Sequence, residues 1–294
     1  MKENTDSGST VPRRQLGREL RKLRIEAGLT MEAAADAIGR SAPTLWRMEK
    51  GGSMMRPGDI AGICRVYGAD DRTTDALMAL AAETKSAGWW RSYNGAIPRW
   101  FDTYIGLENA ASHLRIYNGS EIPGLLQTRP YANAMHRGGW PVTAESDRGE
   151  RVTVRLERQR LLTRKAPQPP RLEVIISESV LLRCLPDPVD MAEQLRKLID
   201  TSELPNVSIR VLPLAKSIDC APDPRFNLLA FPRDRRGPAE PPVAYVDSLT
   251  GALYLTDAAE IEAYERVWAA ICAAALSEFE SLKLISDHIE GHEL

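Results

Sequence analysis

The chain has 294 residues, 32.6 kDa, 43% hydrophobic and 27% charged side chains and a formal net charge of −2, the composition of a globular protein with room for two cores. Its longest apolar run, about nine residues around Trp268–Leu276, is roughly half a membrane span. The leading MKENTDSGST has no apolar core, and Cys64, Cys184, Cys220 and Cys272 are too scattered for a zinc site or a disulfide framework, so a cytoplasmic protein with reduced thiols is expected.

In chain order, residues 1–11 read as a disordered arm. Pro12 then opens a helix with apolar repeats at Leu16, Leu20 and Leu23, which Gly28 ends. Thr30 caps a second helix with the face Met31, Ala34, Ala35 and Ile38. Gly39 supplies a tight turn, and Ser41 caps a third helix with Pro43 in its first turn. Leu45 and Met48 are its core residues, which leaves Ala42, Pro43, Thr44, Trp46 and Arg47 facing outward; Gly51-Gly52 stops it. Two more helices, Arg56–Tyr67 and Arg72–Lys85, complete a five-helix domain over 12–85.

The segment 86–100, rich in Gly, Pro and aromatics (Trp89, Trp90, Tyr93, Trp100), is read as a linker packed on the second domain. Over 101–294 helices and strands mix. Helices are expected at Phe101–Ala111, from Pro123-Gly124 through His136, at Glu150–Lys165, at Pro188–Thr201, and from Asp257 to at least Phe279. Strands are expected at His113–Tyr117, Leu172–Ile176, Val207–Val211, Phe226–Phe231, Val243–Val246 and Ala252–Leu255. The fold class is therefore multidomain: an all-α helix-turn-helix domain, then an α+β domain with a mainly antiparallel sheet.

The charge is uneven. From Val11 to Lys50 nine basic side chains stand against five acidic ones, a net +4 in a chain whose total is −2. A basic head on an acidic body fits a modular DNA-binding protein. The candidate DNA-contacting residues are Ser41, Ala42, Pro43, Thr44, Trp46, Arg47 and Lys50. Arg47 is the main reader, because a guanidinium donates two hydrogen bonds to guanine O6 and N7. Thr44 and Ala42 suit a thymine methyl, and Trp46 suits sugar or backbone.

No sequence pattern announces an enzyme, a cofactor or a metal: GxGxxG, P-loop, HExxH and GxSxG are all missing. His288 and His292 have helical spacing for a metal, but a solvated tail is the plainer reading. Asp187 and Asp190 flank Pro188 as a helix start, and the arginines of Glu150–Lys165 read as a salt-bridged surface helix.

The stretch LGRELRKLRIEAGLTMEAAADAIGRSAPTLWRMEKGG closely resembles the xenobiotic-response-element (XRE) helix-turn-helix of phage lambda-like repressors. The family's usual Gly-Leu-Thr-Gln after the first helix is Gly28, Leu29, Thr30 and, in departure, Met31. The resemblance implies a scaffold clamp between Arg24 and Glu49, and base contacts at Ala42, Pro43 and Arg47. Further on, EIPGLLQTRPYANAM, RLERQRLL, SIRVLP and VAYVD resemble actinobacterial antitoxin-like (WhiJ-like) regulators. That resemblance implies a transcriptional regulator of a kind often encoded beside a small toxin-like protein partner. The expected partners are double-stranded DNA, a second copy in a homodimer and that small protein, with no membrane. A small-molecule-sensing regulator and an enzyme fused to a DNA-binding head are the rival readings.

Overall fold

The structure is a computed structural model that describes residues 11–53, 55–83, 93, 97–137, 145–183, 185, 187–220, 225–232, 240–248 and 251–292. Residues 1–10 of the expected arm, most of the aromatic linker (Trp89 and Trp90 included), Cys184 and the side chains of His136 and His292 lie outside them, while Val11, expected in the arm, opens the first helix. The chain divides into two compact units, Met1–Ala110 and Ala111–Leu294. No helix among the described residues is long and apolar enough to cross a membrane.

The first unit contains α1 (Val11–Glu26), α2 (Met31–Ala37), α3 (Ala42–Glu49), α4 (Pro57–Tyr67), α5 (Asp71–Glu83) and α6 (Arg99–Ala110). Gly28 and Gly39 adopt φ of 68° and 66°, a left-handed conformation that costs glycine little, and so end α1 and α2. The Thr30 hydroxyl accepts from Ala33 N at 3.1 Å and opens α2. The core gathers Leu16 and Leu20 from α1, Ala34 and Ala35 from α2, Leu45 and Met48 from α3, and Ile60, Ile63 and Tyr67 from α4. Gly17 lets α1 cross the end of α3 closely: a Cβ there would lie 2.5 Å from the Glu49 carbonyl oxygen and 2.6 Å from that of Met48.

The second unit is built on one six-stranded sheet in the order β3-β2-β1-β4-β5-β6. Its elements are β1 (His113–Asn118), α7 (Arg129–Arg137), α8 (Glu145–Arg158), β2 (Arg171–Ser177), α9 (Glu178–Leu181), α10 (Pro188–Ser202), β3 (Val207–Leu212), α11 (Leu214–Cys220), β4 (Arg225–Ala230), β5 (Val243–Asp247), β6 (Ala252–Leu255), α12 (Ala258–Ala274) and α13 (Glu278–His292). The sheet is mixed. Three neighbouring pairs are antiparallel, as the mainly antiparallel expectation has it, while β1–β2 and β2–β3 run parallel. Parallel neighbours need long crossovers, and α7–α8 and α9–α10 lie in them.

On one face Tyr117, Ile175, Leu212, Phe226 and Leu228 pack under Ile261, Trp268 and Ile271 of α12. Arg115 makes a bidentate pair with Glu265 and sits 5.9 Å from the Trp268 ring centroid. Arg210 donates to the carbonyls of Cys272, Ala275 and Leu276 at 2.7–2.9 Å, satisfying the last turn of α12. The long C-terminal helix expected from Asp257 is in fact two. Ser277 and Glu280 close a capping box, Ser277 N to Glu280 Oε2 at 2.9 Å and Glu280 N to Ser277 Oγ at 3.2 Å, and restart the chain as α13. Residues 288–292 are thus helix with Ile289 buried, not a solvated tail.

The segment Pro123–Thr128, expected to start a helix, instead forms a short 3-10 turn at Gly124–Leu126, and the Thr128 hydroxyl then accepts from Tyr131 N at 3.3 Å ahead of α7. Buried Gln127 donates to Ile122 O at 2.6 Å and accepts from Arg155 Nη1 at 2.6 Å. Gln194 of α10 donates to Leu126 O and accepts from Thr128 N, at 2.8 and 2.7 Å. The arginines of α8 are accordingly not all on a solvated face: Arg158 is buried and Arg155 is turned onto the turn's Gln127.

Two stability measurements check this architecture. Gly17→Ala is expected to lower unfolding free energy by about 1–3 kcal/mol through the backbone clash. Gly62→Ala, at a helical site where a Cβ meets nothing within 4 Å, is expected to raise it by about 0.5–1 kcal/mol. His113 tests the sheet: burial holds its pKa below the usual 6.5 despite the Glu173 carboxylate 3.0 Å away. The unfolded chain therefore takes up a proton at a pH where the folded chain does not. Stability is expected to be fully present above 6.5 and to fall as pH drops through that value toward the depressed folded pKa. In denaturant titrations between roughly pH 7.5 and 5.5, His113→Gln should flatten that slope.

Candidate nucleic-acid interface

The third helix begins where Ser41, in extended conformation, offers its hydroxyl to Thr44 N at 3.4 Å, with Pro43 in the first turn. Leu45, Met48 and Glu49 are buried, so helical periodicity turns Pro43, Trp46, Arg47 and Lys50 to solvent, and all four are exposed.

What holds that face in place is a buried ion pair. Arg24 Nε lies 2.6 Å from Glu49 Oε1 and Nη2 lies 3.1 Å from Oε2, a bidentate fork between the ends of α1 and α3. The third guanidinium nitrogen, Nη1, donates to Leu29 O at 2.9 Å, in the turn that leads into α2. One side chain thus ties all three helices. The hydrogen bond to Glu49 pushes the Arg24 pKa further up. Beside it the Tyr67 hydroxyl is buried and has no hydrogen-bond partner among the described residues; burial pushes its pKa up to about 12.

The seven residues expected at the interface all lie on or next to α3, but they are not equivalent. Ala42 is half-buried and packs against the core. Thr44 Oγ1 is 2.9 Å from Ser41 Oγ, so one of the two hydroxyls donates to the other while Ser41 Oγ also accepts from Thr44 N. Trp46, 54% exposed, stands on the outward face itself, not at its margin. Sequence reasoning found the Arg24–Glu49 pair only through the resemblance. It missed Arg40, at the turn before α3, whose Nη2 lies 3.7 Å from Asp59 Oδ1.

In the second unit charged groups converge at the end of the sheet where β1, β4 and β5 meet: Arg225 lies 3.1 Å from Asp247 and 3.8 Å from Glu121, with Arg155 and Arg158 near enough to act on Asp247. Burial holds the Asp247 pKa above the usual carboxylate value even beside Arg225. Among the described residues no group of three or more His, Cys, Asp or Glu side chains is placed to hold a metal ion.

Residues 15–77 match the family described as helix-turn-helix domain, a stretch that runs from within α1 to the middle of α5. Residues 101–287 match the family described as a domain of unknown function (DUF5753), and the chain belongs to that family. No curated protein matches the chain.

The clamp is directly testable. Glu49→Ala leaves a buried guanidinium unpaired and is expected to destabilise the protein by about 3–5 kcal/mol. Trp46→Ala, on the exposed face, should stay within about 0.5 kcal/mol in the same urea titrations.

Proposed function

We propose that this DUF5753-family chain is a sequence-specific DNA-binding transcriptional regulator. The observation that carries the reading is the outward face of α3, held by the Arg24 fork and begun by the Ser41 cap, with Arg47 and Lys50 exposed along it. A helix of this size fits the major groove of B-DNA, and its guanidinium suits a guanine edge. The net +4 of residues 11–50 supplies the attraction to phosphates.

Three finer statements belong to the proposal. The chain acts as a homodimer, since one small module seldom secures enough specificity alone. It works in the cytoplasm, as an XRE-type regulator without catalytic activity. Its second unit controls occupancy by binding a small toxin-like protein, as the likeness to actinobacterial antitoxin-like regulators implies. A second reading, in which that unit senses a small molecule, is favoured by the convergence of Arg155, Arg158 and Arg225 with Asp247.

Binding sites selected from random duplex DNA by the full chain, followed by titration in increasing salt, test the reading. Arg47→Ala is expected to lower affinity for the selected site by about 1–3 kcal/mol and to relax preference at one position. Lys50→Ala should weaken all sequences alike and reduce the salt slope by about one. If the intact protein shows no salt-sensitive DNA binding, the proposal is wrong.

A further inference from the structure

If α3 enters the major groove, the chemistry of its outward face decides which base edges it prefers. At about 100° per residue, positions 42, 46, 50, 43 and 47 fall in that angular order within an arc of about 140°, opposite the buried Leu45 and Met48, with the buried Glu49 at its Ala42 edge. Hydrogen-bonding capacity is scarce over the N-terminal half of that arc. Ser41 and Thr44 fall outside that arc, their hydroxyls 2.9 Å apart with Ser41 Oγ capping Thr44 N, and Ala42 packs inward. What remains outward is the Pro43 ring, which has no polar side-chain atom, and the Trp46 indole, which has one donor and no acceptor.

The thymine C5-methyl is the apolar group that a base pair displays in the major groove. A pyrrolidine or indole surface pressed on amino or carbonyl edges would strip their water without replacing its hydrogen bonds; pressed on a methyl it buries apolar area. Arg47 lies one turn beyond Pro43, about 6 Å along the helix, or about two base-pair steps.

Building on the DNA-binding reading above, we infer that Pro43 and Trp46 form an apolar surface that reads thymine methyl groups, while Arg47 reads a guanine about two base pairs away. The preferred DNA is a half-site in which a thymine and a guanine stand at that separation.

The test uses the full chain and its selected site. Each thymine of the half-site is replaced in turn by uracil, which removes only the methyl group. One such replacement, about two base pairs from an essential guanine, is expected to weaken binding about fourfold, the worth of one buried methyl. In the Pro43→Ala/Trp46→Ala double variant, whose substitutions are both at exposed positions, that penalty should shrink to within about twofold of none. Pro43→Ala alone serves, on the same criterion, if the double variant binds too weakly to measure. A selected site lacking such a thymine, a uracil site bound as well as the thymine site, or a penalty undiminished in the variant would each overturn the inference and leave DNA binding standing. Failure to select any sequence, without salt-sensitive binding, would overturn both.

Discussion

The first unit depends on a single guanidinium. Arg24 reaches from the end of α1 to both carboxylate oxygens of Glu49 at the end of α3 and to the Leu29 carbonyl before α2. A buried ion pair is a poor source of net stability, because desolvating two charges offsets most of their attraction. Its value is geometric. An apolar contact tolerates a range of rotations, whereas a bidentate fork with a third bond to a backbone carbonyl fixes distance and angle together. Two glycines complete the constraint: Gly17 lets the end of α3 lie against α1, and Gly51, at φ 71°, would bring a Cβ to 2.7 Å from the Arg14 Cα.

The second unit solves a different problem, which is where to end a sheet. Its β3 edge is covered: Val211 O accepts from Leu276 N, and Val211 N donates to Ser281 Oγ, both at 2.9 Å. The same turn between α12 and α13 receives the Arg210 guanidinium on its carbonyls. Pairing both backbone groups of Val211 with this helix–helix turn keeps them from templating another strand at that point of the edge. Gln127, from within the turn, and Gln194, from α10, do comparable work inside, satisfying turn backbone so that the chain between β1 and α7 can run through the interior.

Local signals carried far in this chain, and non-local ones did not. Thr30, Gly39, Ser41 and Pro43 act within three or four residues of themselves, which is why the first three helices stand where spacing puts them. The capping box at Ser277 and Glu280 is just as local; the alanine run before it masks it as one continuous helix. Strand positions were readable from β-branched alternation, but the sheet order was not. Residue 112 bonds to residue 230 across the sheet, and no pattern in either segment names the other as partner. At the interface the positions were legible and the chemistry only partly so. Thr44 and Ala42 read as outward residues suited to a thymine methyl, whereas Thr44 is half-buried with its hydroxyl against Ser41 and Ala42 is packed on the core.

These two constraints bear on each other. A hydrogen bond to a base edge supplies its own orientation, since donor and acceptor must align within tens of degrees. An apolar surface pressed on a methyl supplies none. If α3 reads DNA through Pro43 and Trp46 as proposed, that part of the helix must get its orientation from elsewhere, and the sources are the fork on Glu49 at one end and the Ser41 cap and proline at the other. Pro43 contributes to both sides of this balance, fixing its own φ while offering its ring outward. On the proposed reading, rigidity of the scaffold orients the Pro43 and Trp46 part of the face, while the exposed Arg47 supplies directional readout beside it.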